Sequence, residues 1–356
     1  RDIKVIDPCM GSGHILVYAF DVLMQMYEDA GYNQRDAAKS ILENNLYGLD
    51  IDDRAYQLAY FAVMMKARQY NRRILNGETT CQVYAIQESN NINRTHLKYL
   101  GAGMDDLEVN TARVQVEGLL DTLRDAKEYG SILQIKPLDY EGLKEAWETS
   151  AAATAHDANM AMWYDAAKDA VAQLIEQAIM LSQKYDAVVT NPPYMGSSGM
   201  GVKLAEYVKK NYPDSKSDLF AVCIEHGNQM VKPNGMNCMV TMQSWMFLSS
   251  FEKMRMNLLQ TKTITNLMHM ENMVMGIAFG TAVTVFRNGH INRYKGTYNH
   301  VKYEDIQNDI PKEFPIAENR FAQVSTDNFA KIPGSPVAYW VSQKVIDDFS
   351  NGKELK

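Results

Sequence analysis

Short apolar runs alternate along the chain with longer stretches in which apolar residues recur at helical spacing. Three such runs, IKVIDP (3–8), LYGLDID (46–52) and CQVYAI (81–86), predict buried strands. Helical spacing fills the intervals around them, at 14–31, 34–45 and 54–70. Strands that alternate with helices in this way are typical of a parallel α/β sheet.

The alternation is interrupted in the middle of the chain. Residues 95–184 are rich in Ala and other helix formers, and only SILQI (131–135) resembles a strand there. Strand patterns return at YDAVVTN (185–191) and MNCMVTM (236–242), separated by an amphipathic helical pattern. The middle of the chain is therefore expected to be a helical insertion in the connectivity of the sheet.

The last strand patterns lie at 264–270 and 280–288. They are joined by a short segment, so we expect them to pair antiparallel. From about residue 291 the pattern loosens into polar sequence punctuated by prolines. The expected fold class is α/β, a Rossmann-like, mostly parallel sheet with an antiparallel last strand and a helical insertion.

Composition restricts the classes of protein that remain. Of 356 residues 46% are hydrophobic, which is enough to bury a large core. The net charge of −7 argues against a general polyanion binder, but leaves a local basic groove open. No apolar run reaches the ~18 residues of a membrane span, and there is no signal-peptide pattern. The cysteines lie far apart without a CxxC pair, so we expect no metal site and a reduced, cytoplasmic protein.

A glycine-containing loop follows the first strand pattern. DPCMGSG (7–13) joins that strand to a helix, and Gly11 and Gly13 allow the backbone to pass close to a ligand. The helix N-terminus behind the loop favours negative groups. The spacing is G-x-G rather than G-x-G-x-x-G, so the dinucleotide fingerprint is incomplete. An ordinary βα turn is the alternative interpretation.

Acidic residues follow the second and third strands. Asp50 ends the second strand, at the sheet edge where the glycine loop is expected, and could accept hydrogen bonds from both ribose hydroxyls. Asp52 is expected to point to the other face and to cap the next helix. Glu88 is a candidate for holding an adenine amino group, and a solvated loop acid is its alternative.

The sequence NPPY (191–194) follows the strand pattern that begins at residue 185. Two consecutive prolines fix the backbone φ angles and end strand pairing. The side-chain carbonyl of Asn191 and the backbone carbonyl of Pro192 could accept both hydrogens of a planar exocyclic amine. This would draw the amine toward sp³ geometry and free its lone pair. Tyr194 offers a ring on which an extracted base can stack, and a strand stop with a surface Tyr is the alternative.

Together and in this order, DPCMGSG, GLDID and NPPY resemble the adenine-N6-specific DNA methyltransferases that use S-adenosylmethionine. The order is similar to that of the subclass with the methyl-donor loop first, the catalytic motif second and target recognition last. The long helical region and YDAVVTNPPYMGSSGM most resemble the large methyltransferases of BREX phage-defence systems. The resemblance covers about residues 3–290.

The resemblance implies a site-specific enzyme that transfers a methyl group from S-adenosylmethionine to the N6 amine of a flipped adenine in DNA. By the same resemblance, Phe279 would stack on the face of the base opposite Tyr194, and a core Phe is its alternative. No metal is required. The implied catalytic residues are Asn191, Pro192, Pro193 and Tyr194. The implied cofactor-binding residues are Asp7, Pro8, Cys9, Gly11, Gly13, Asp50, Ile51 and Glu88.

The resemblance also implies a domain organisation and partners. Residues 1–94 would form the cofactor-binding half, 95–184 the insertion, 185–290 the catalytic half and 291–356 a linker toward a target-recognition domain. The chain opens at Arg1 and enters a strand at once, so we expect a fragment of a longer protein. The expected partners are double-stranded DNA and other subunits of a defence or restriction-type system, with no membrane.

Other functions fit some of the same residues. A planar amide nitrogen also suits NPPY, so an RNA or protein-glutamine methyltransferase is an alternative. A non-catalytic nucleic-acid-binding subunit of the same fold is another, and the intact motif argues against it. A nicotinamide dehydrogenase is disfavoured because the dinucleotide fingerprint is incomplete.

Overall fold

A computed structural model describes residues 2–100, 104–155, 158–308, 310–317 and 320–351. The strands are β1 Val5–Asp7, β2 Leu46–Asp50, β3 Gln82–Ala85, β4 Tyr185–Thr190, β5 Val231–Met242, β6 Thr263–Met270, β7 Thr281–Arg287, β8 Lys295–Val301, β9 Ile306–Gln307, β10 Ile310–Pro311 and β11 Phe321–Ser325. The α-helices are α1 His14–Asp29, α2 Gln34–Ser40, α3 Asp53–Tyr70, α4 Asp106–Thr122, α5 Ala126–Tyr129, α6 Tyr140–Thr154, α7 Ala158–Asp165, α8 Lys168–Ser182, α9 Val202–Asn211, α10 Leu219–Met230, α11 Glu252–Thr261 and α12 Gln343–Asn351.

The chain divides into two compact units. The sheet unit comprises Arg1–Cys9 and Tyr185–Lys356, and its strands lie in the order β11-β8-β6-β7-β5-β4-β1. The strands β1, β4 and β5 are parallel neighbours, and β7 pairs antiparallel with both β5 and β6. The antiparallel pairing expected for 264–270 and 280–288 is confirmed.

The segment 291–356, expected as a linker, instead contributes strands to the sheet. Here β8 pairs in parallel with β6, and β11 pairs antiparallel with β8. The buried positions of β8 are occupied largely by Gly296, Tyr298 and Asn299 rather than by aliphatic residues. Hydropathy alone therefore does not reveal this strand.

A buried arginine fastens the segment after β11 to the sheet unit. The guanidinium of Arg255 in α11 is 1% exposed and donates to the backbone carbonyls of Trp245, Leu248, Gly334 and Ser335. These carbonyls belong to two segments that are distant in sequence. The positive charge is thus stabilised by backbone dipoles that hold the two segments together.

Aromatic side chains dominate the largest buried positions of the sheet unit. Burying such a side chain contributes about 2–3 kcal/mol. The fully buried rings belong to Trp245, Tyr185, Tyr212, Tyr298, Phe220, Phe286 and Phe329.

The helical unit comprises Met10–Lys184 and contains the parallel pair β2 and β3. The helix α2 continues into a π-helical turn at Ile41–Asn45. The insertion is helical, as expected, but the strand expected at SILQI is wrong, because Gly130–Ile132 is a 3₁₀ turn. Ser131, Ile132 and Leu133 are buried in succession, so this segment lacks the alternation of a strand.

No helix in the described ranges is long and apolar enough to cross a membrane.

Candidate active site

The two glycines of the glycine loop lie in the helical unit and adopt a backbone that only glycine tolerates well. Gly11 has φ +52° and Gly13 has φ +85°, both in the left-handed region. A Cβ on Gly13 would lie 2.9 Å from the Cα of Ala59 in α3, so a larger residue would push the loop away from that helix. A Cβ on Gly11 would meet nothing within 4 Å, which leaves the loop open to a ligand at this point.

Asp50 is brought against this loop, as expected from the sheet edge. Its Oδ2 accepts from the Gly11 N–H at 2.8 Å, and its Oδ1 accepts from the Asp52 N–H at 2.9 Å. A carboxylate offers about four acceptor positions, so two remain for the hydroxyls of a ribose. The side chain of Asp52 accepts from the Arg54 N–H at 2.7 Å and caps α3, which confirms the predicted cap.

Asp7 lies at the end of β1 in the sheet unit and is 1% exposed. Its Oδ1 accepts from the Cys9 N–H at 3.1 Å and from the Thr190 hydroxyl at 2.6 Å. Thr190 immediately precedes Asn191. Asp7 therefore shapes the start of the glycine loop and the end of β4 at the same time. Pro8 is also buried, and Cys9 is half-buried.

The remaining residues expected to contact cofactor lie in the helical unit. Ile51 is 46% exposed directly after Asp50, and Glu88 is half-buried three residues after the end of β3. The insertion braces the segment before Glu88, because the buried amide of Gln177 in α8 accepts from the Gln87 N–H at 2.7 Å and donates to the Gln87 carbonyl at 3.2 Å. Nothing local in the sequence indicates this contact.

Asn191 follows β4 in the sheet unit and is exposed, whereas Pro192 is buried. The Tyr194 hydroxyl lies 3.1 Å from the Asn191 Oδ1 and 3.1 Å from the Val240 carbonyl, and it donates its single hydrogen toward these two acceptors. Burial raises the pKa of Tyr194 to about 12, so the hydroxyl stays protonated. The Asn191 carbonyl is thereby held in place and keeps a lone pair for a second donor.

If Tyr194 is replaced by phenylalanine, the methyl transfer that the resemblance implies should slow by about 5-fold in kcat. The change removes one neutral hydrogen bond that orients Asn191, and it leaves the aromatic ring in place. Tyr194→Ala removes the ring as well and should abolish transfer. Steady-state kinetics of both variants test this order. A Tyr194→Phe variant as slow as Tyr194→Ala would show that the hydroxyl does more than orient Asn191.

The exit from NPPY is fixed by Asp218, which the sequence reasoning missed. Its Oδ1 accepts from the Met195 N–H at 3.1 Å, and the Leu219 N–H donates to the Met195 carbonyl at 3.0 Å. The same carboxylate caps α10 through the Phe220 N–H, and burial raises its pKa. The start of α10 thus holds the segment that follows Tyr194.

The ring of Phe279, which the resemblance implies would stack on the base, contacts the ring of Tyr194. The two ring centroids are 5.6 Å apart and the planes meet at 70°, an edge-to-face arrangement. A base stacked between two parallel rings needs them about 7 Å apart. Phe279 is 36% exposed, so its ring has room to turn. Stacking of a base between Tyr194 and Phe279, which the resemblance implies, therefore requires the Phe279 ring to rotate and to separate from Tyr194.

A chain of hydrogen bonds runs beside Phe279. The buried His269 of β6 is hydrogen-bonded through Nε2 to the Gln243 Oε1, and its Nδ1 lies 3.1 Å from the Tyr339 hydroxyl. The His269 ring stacks on His300 at 4.9 Å. Burial, and then the charge of His300, lower the pKa of His269 to about 4, so the ring is neutral at physiological pH.

The stability of the protein should fall as the pH falls from about 6.5 toward 4. In the unfolded chain His269 takes up a proton near pH 6.5, whereas the folded state resists protonation until about pH 4. Between pH 7.5 and 5, we expect the wild type to lose about 2 kcal/mol more than His269→Gln. Urea unfolding at both pH values measures this difference.

Other groups titrate near this histidine. His300, whose pKa is also lowered, contacts Glu271 at 3.3 Å, and Tyr339 faces His269 with a raised pKa. The His269→Gln variant retains these groups, so it isolates the effect of His269. Equal losses of stability in the two proteins would contradict the assignment.

The described ranges contain no group of three or more His, Cys, Asp or Glu side chains that could hold a metal ion.

The α/β fold, the glycine loop with Asp50, and the exposed Asn191 after β4 define a Rossmann-like methyltransferase fold. Residues 44–274 match the family described as "Eco57I restriction-modification methylase". The chain belongs to this family. The resemblance expected from DPCMGSG, GLDID and NPPY is confirmed at this level.

Relatives match nearly the whole chain. It is 40% identical over 98% of its length to "Adenine-specific methyltransferase BrxX" of Escherichia coli O9:H4 (strain HS). It is 36% identical over 98% of its length to "Adenine-specific methyltransferase PglX" of Lacticaseibacillus casei (strain Zhang). The chain spans only 30% and 29% of the lengths of these two relatives.

A solved structure from a type I R-M system has the same fold. It superposes with a TM-score of 0.52 at 12% identity, over 99% of this chain and 56% of that chain. At this identity the likeness concerns the fold alone.

Proposed function

We propose that the complete protein transfers a methyl group from S-adenosylmethionine to the N6 amine of adenine in double-stranded DNA, as the modification enzyme of a phage-defence or restriction-type system. The observation that carries the proposal is the geometry after β4. Asn191 is exposed, and its carbonyl is fixed by the Tyr194 hydroxyl 3.1 Å away. Both relatives are named adenine-specific methyltransferases, which favours adenine over an amide nitrogen.

The residues of the glycine loop fit the cofactor. Bound S-adenosylmethionine supplies a methyl group that its sulfonium already activates. The main task of the protein is therefore to position the methyl group and its acceptor. Asp50 retains acceptor positions for ribose hydroxyls, the open space above Gly11 admits a ligand, and exposed Ile51 offers an apolar surface. Glu88 is the candidate partner of the cofactor's adenine amino group.

The residues after β4 fit a flipped adenine. The Asn191 side-chain carbonyl and the Pro192 backbone carbonyl would accept the two hydrogens of the N6 amine, and Pro193 stiffens the backbone between Pro192 and Tyr194. Tyr194 and Phe279 would stack on the two ring faces once Phe279 turns. The half-buried ring of Tyr194 would cover one face of the base and keep water from that face.

Double-stranded DNA and further subunits of the defence system are the proposed partners. A cytoplasmic location is proposed with them, because both relatives come from bacteria. The test is to incubate the complete protein with S-adenosylmethionine and unmethylated DNA, and to map N6-methyladenine by sequencing. Parallel incubations contain RNA or protein as the acceptor. Methyl transfer to RNA or protein but not to DNA would overturn the proposal, and no transfer to any acceptor would indicate a non-catalytic subunit.

A further inference from the structure

Gln243 lies directly after β5, beside the segment that carries Phe279. Its backbone N–H donates to the Gly280 carbonyl at 3.0 Å. A Cβ on Gly280 would lie 2.2 Å from the Gln243 Nε2, 2.3 Å from its Cδ and 2.6 Å from its Oε1. Because these distances are nearly equal, the amide plane lies face-on against Gly280. Only glycine at position 280 leaves room for the amide in this place.

The Gln243 Oε1 contacts the His269 Nε2, and the amide nitrogen lies at the other end of the group. The Oε1 atom can only accept, so the His269 Nε2 that contacts it must carry the ring proton. The His269 Nδ1 then has a lone pair, which accepts from the Tyr339 hydroxyl at 3.1 Å. Turning the amide over would require the other tautomer of His269, with the proton on Nδ1 and the Tyr339 hydroxyl as its acceptor. With the proton on Nε2, the Gln243 N–H₂ group points away from His269.

This N–H₂ group is available to a ligand. Within the part of the chain that the structure describes, the Gln243 Nε2 makes no hydrogen bond. Gln243 is half-buried, so its side chain is not sealed in the core. It packs on Gly280, the residue immediately after Phe279, whose ring contacts Tyr194. A half-buried donor without a partner thus lies next to the rings that are proposed to stack on the base.

We propose that Gln243 recognises the flipped adenine by donating its side-chain N–H to N1 or N7 of the ring. His269 is then a positioning residue, which holds the amide in the donating orientation. This inference rests on the proposed function. The acceptors N1 and N7 flank the N6 amine, whose own hydrogens are assigned to Asn191 and Pro192. Hydrogen bonds to the base edge are how flipped bases are commonly recognised.

The test compares target bases that lack one acceptor. The complete protein is given duplexes of its mapped recognition sequence with adenine, 1-deazaadenine or 7-deazaadenine at the target position, and kcat/KM is measured for each. For the wild type, kcat/KM should be about 10-fold higher with adenine than with the analogue that lacks the ring nitrogen bonded by Gln243. This is the effect of one hydrogen bond to a buried partner. In Gln243→Leu this preference should fall close to 1, because the N–H is gone.

A second variant controls for the possibility that Gln243→Leu misfolds. Gln243→Glu has the same shape and keeps an acceptor for His269, but presents oxygen instead of N–H to the base. It should also lose the preference. His269→Leu should weaken the preference although Gln243 is intact, which a purely structural role of His269 would not do. Ser244→Ala, at the next residue, should keep the wild-type preference.

Two results would separate this inference from the proposed function. If Gln243→Leu and Gln243→Glu keep the wild-type preference against both analogues, Gln243 does not read the base, while the methyltransferase activity stands. If the wild type methylates no adenine in DNA, the proposed function fails before the analogues are compared.

Discussion

Replacing Asn191 by alanine in the complete protein should lower kcat for DNA methylation by about 10²–10³-fold, the usual cost of removing one pre-organised polar group at a reacting centre. The N6 amine would lose the acceptor that the Tyr194 hydroxyl holds in place. The affinity for S-adenosylmethionine should stay unchanged, since Asp50 and the glycine loop are not altered. Single-turnover methyl transfer and calorimetric titration measure the two quantities.

Two further variants control this experiment. Asn191→Asp keeps an acceptor oxygen in the same place and should retain more activity than the alanine variant. Asn76→Ala changes an exposed asparagine of the helical unit and should methylate like the wild type. A wild-type rate in Asn191→Ala would remove the main support for the proposed chemistry.

Asp50→Ala should raise the Kd for S-adenosylmethionine by about 10- to 100-fold, the range for losing hydrogen bonds to a charged group. The variant loses the proposed acceptor of the ribose hydroxyls and also the carboxylate that holds the Gly11 N–H at 2.8 Å. Calorimetric titration measures the Kd, and NAD serves as the competing cofactor class. Heat from NAD but not from S-adenosylmethionine would point to a dehydrogenase instead.

Asp52→Ala is a matched control, because it removes the same charge two residues away. Asp52 caps α3, so its loss should lower stability by about 1 kcal/mol and leave the Kd unaffected. If Asp50→Ala binds S-adenosylmethionine as tightly as Asp52→Ala does, Asp50 does not hold the ribose.

The strands β1 to β7 were all predicted, because each contains a recognisable run of apolar residues. Each of the strands β1 to β4 pairs with a parallel neighbour, and the strands of parallel sheets commonly read as apolar runs. The strand β8 was not predicted from the sequence, because Gly296, Tyr298 and Asn299 rather than aliphatic residues occupy buried positions there. Its place beside β6 depends on long-range pairing, which no local pattern records.

The residues of the candidate site also fall into two groups, those that the sequence reveals and those that it does not. Loops that are contiguous in sequence, such as the glycine loop and NPPY, could be recognised from their residues. Asp218, Gln177 and Gln243 could not, because each acts through a contact with a segment that is distant in sequence. The burial of Asp7 was equally invisible, since a motif position does not show which way a side chain points.

The buried guanidinium of Arg255 decides where this protein can be shortened. A polypeptide that ended at residue 290, where the apolar pattern weakens, would lack the Gly334 and Ser335 carbonyls and leave a buried cation short of acceptors. It would also lack β8, and β6 would become an open edge that invites pairing with other molecules. A shortened polypeptide that folds and stays monomeric must therefore extend beyond Ser335.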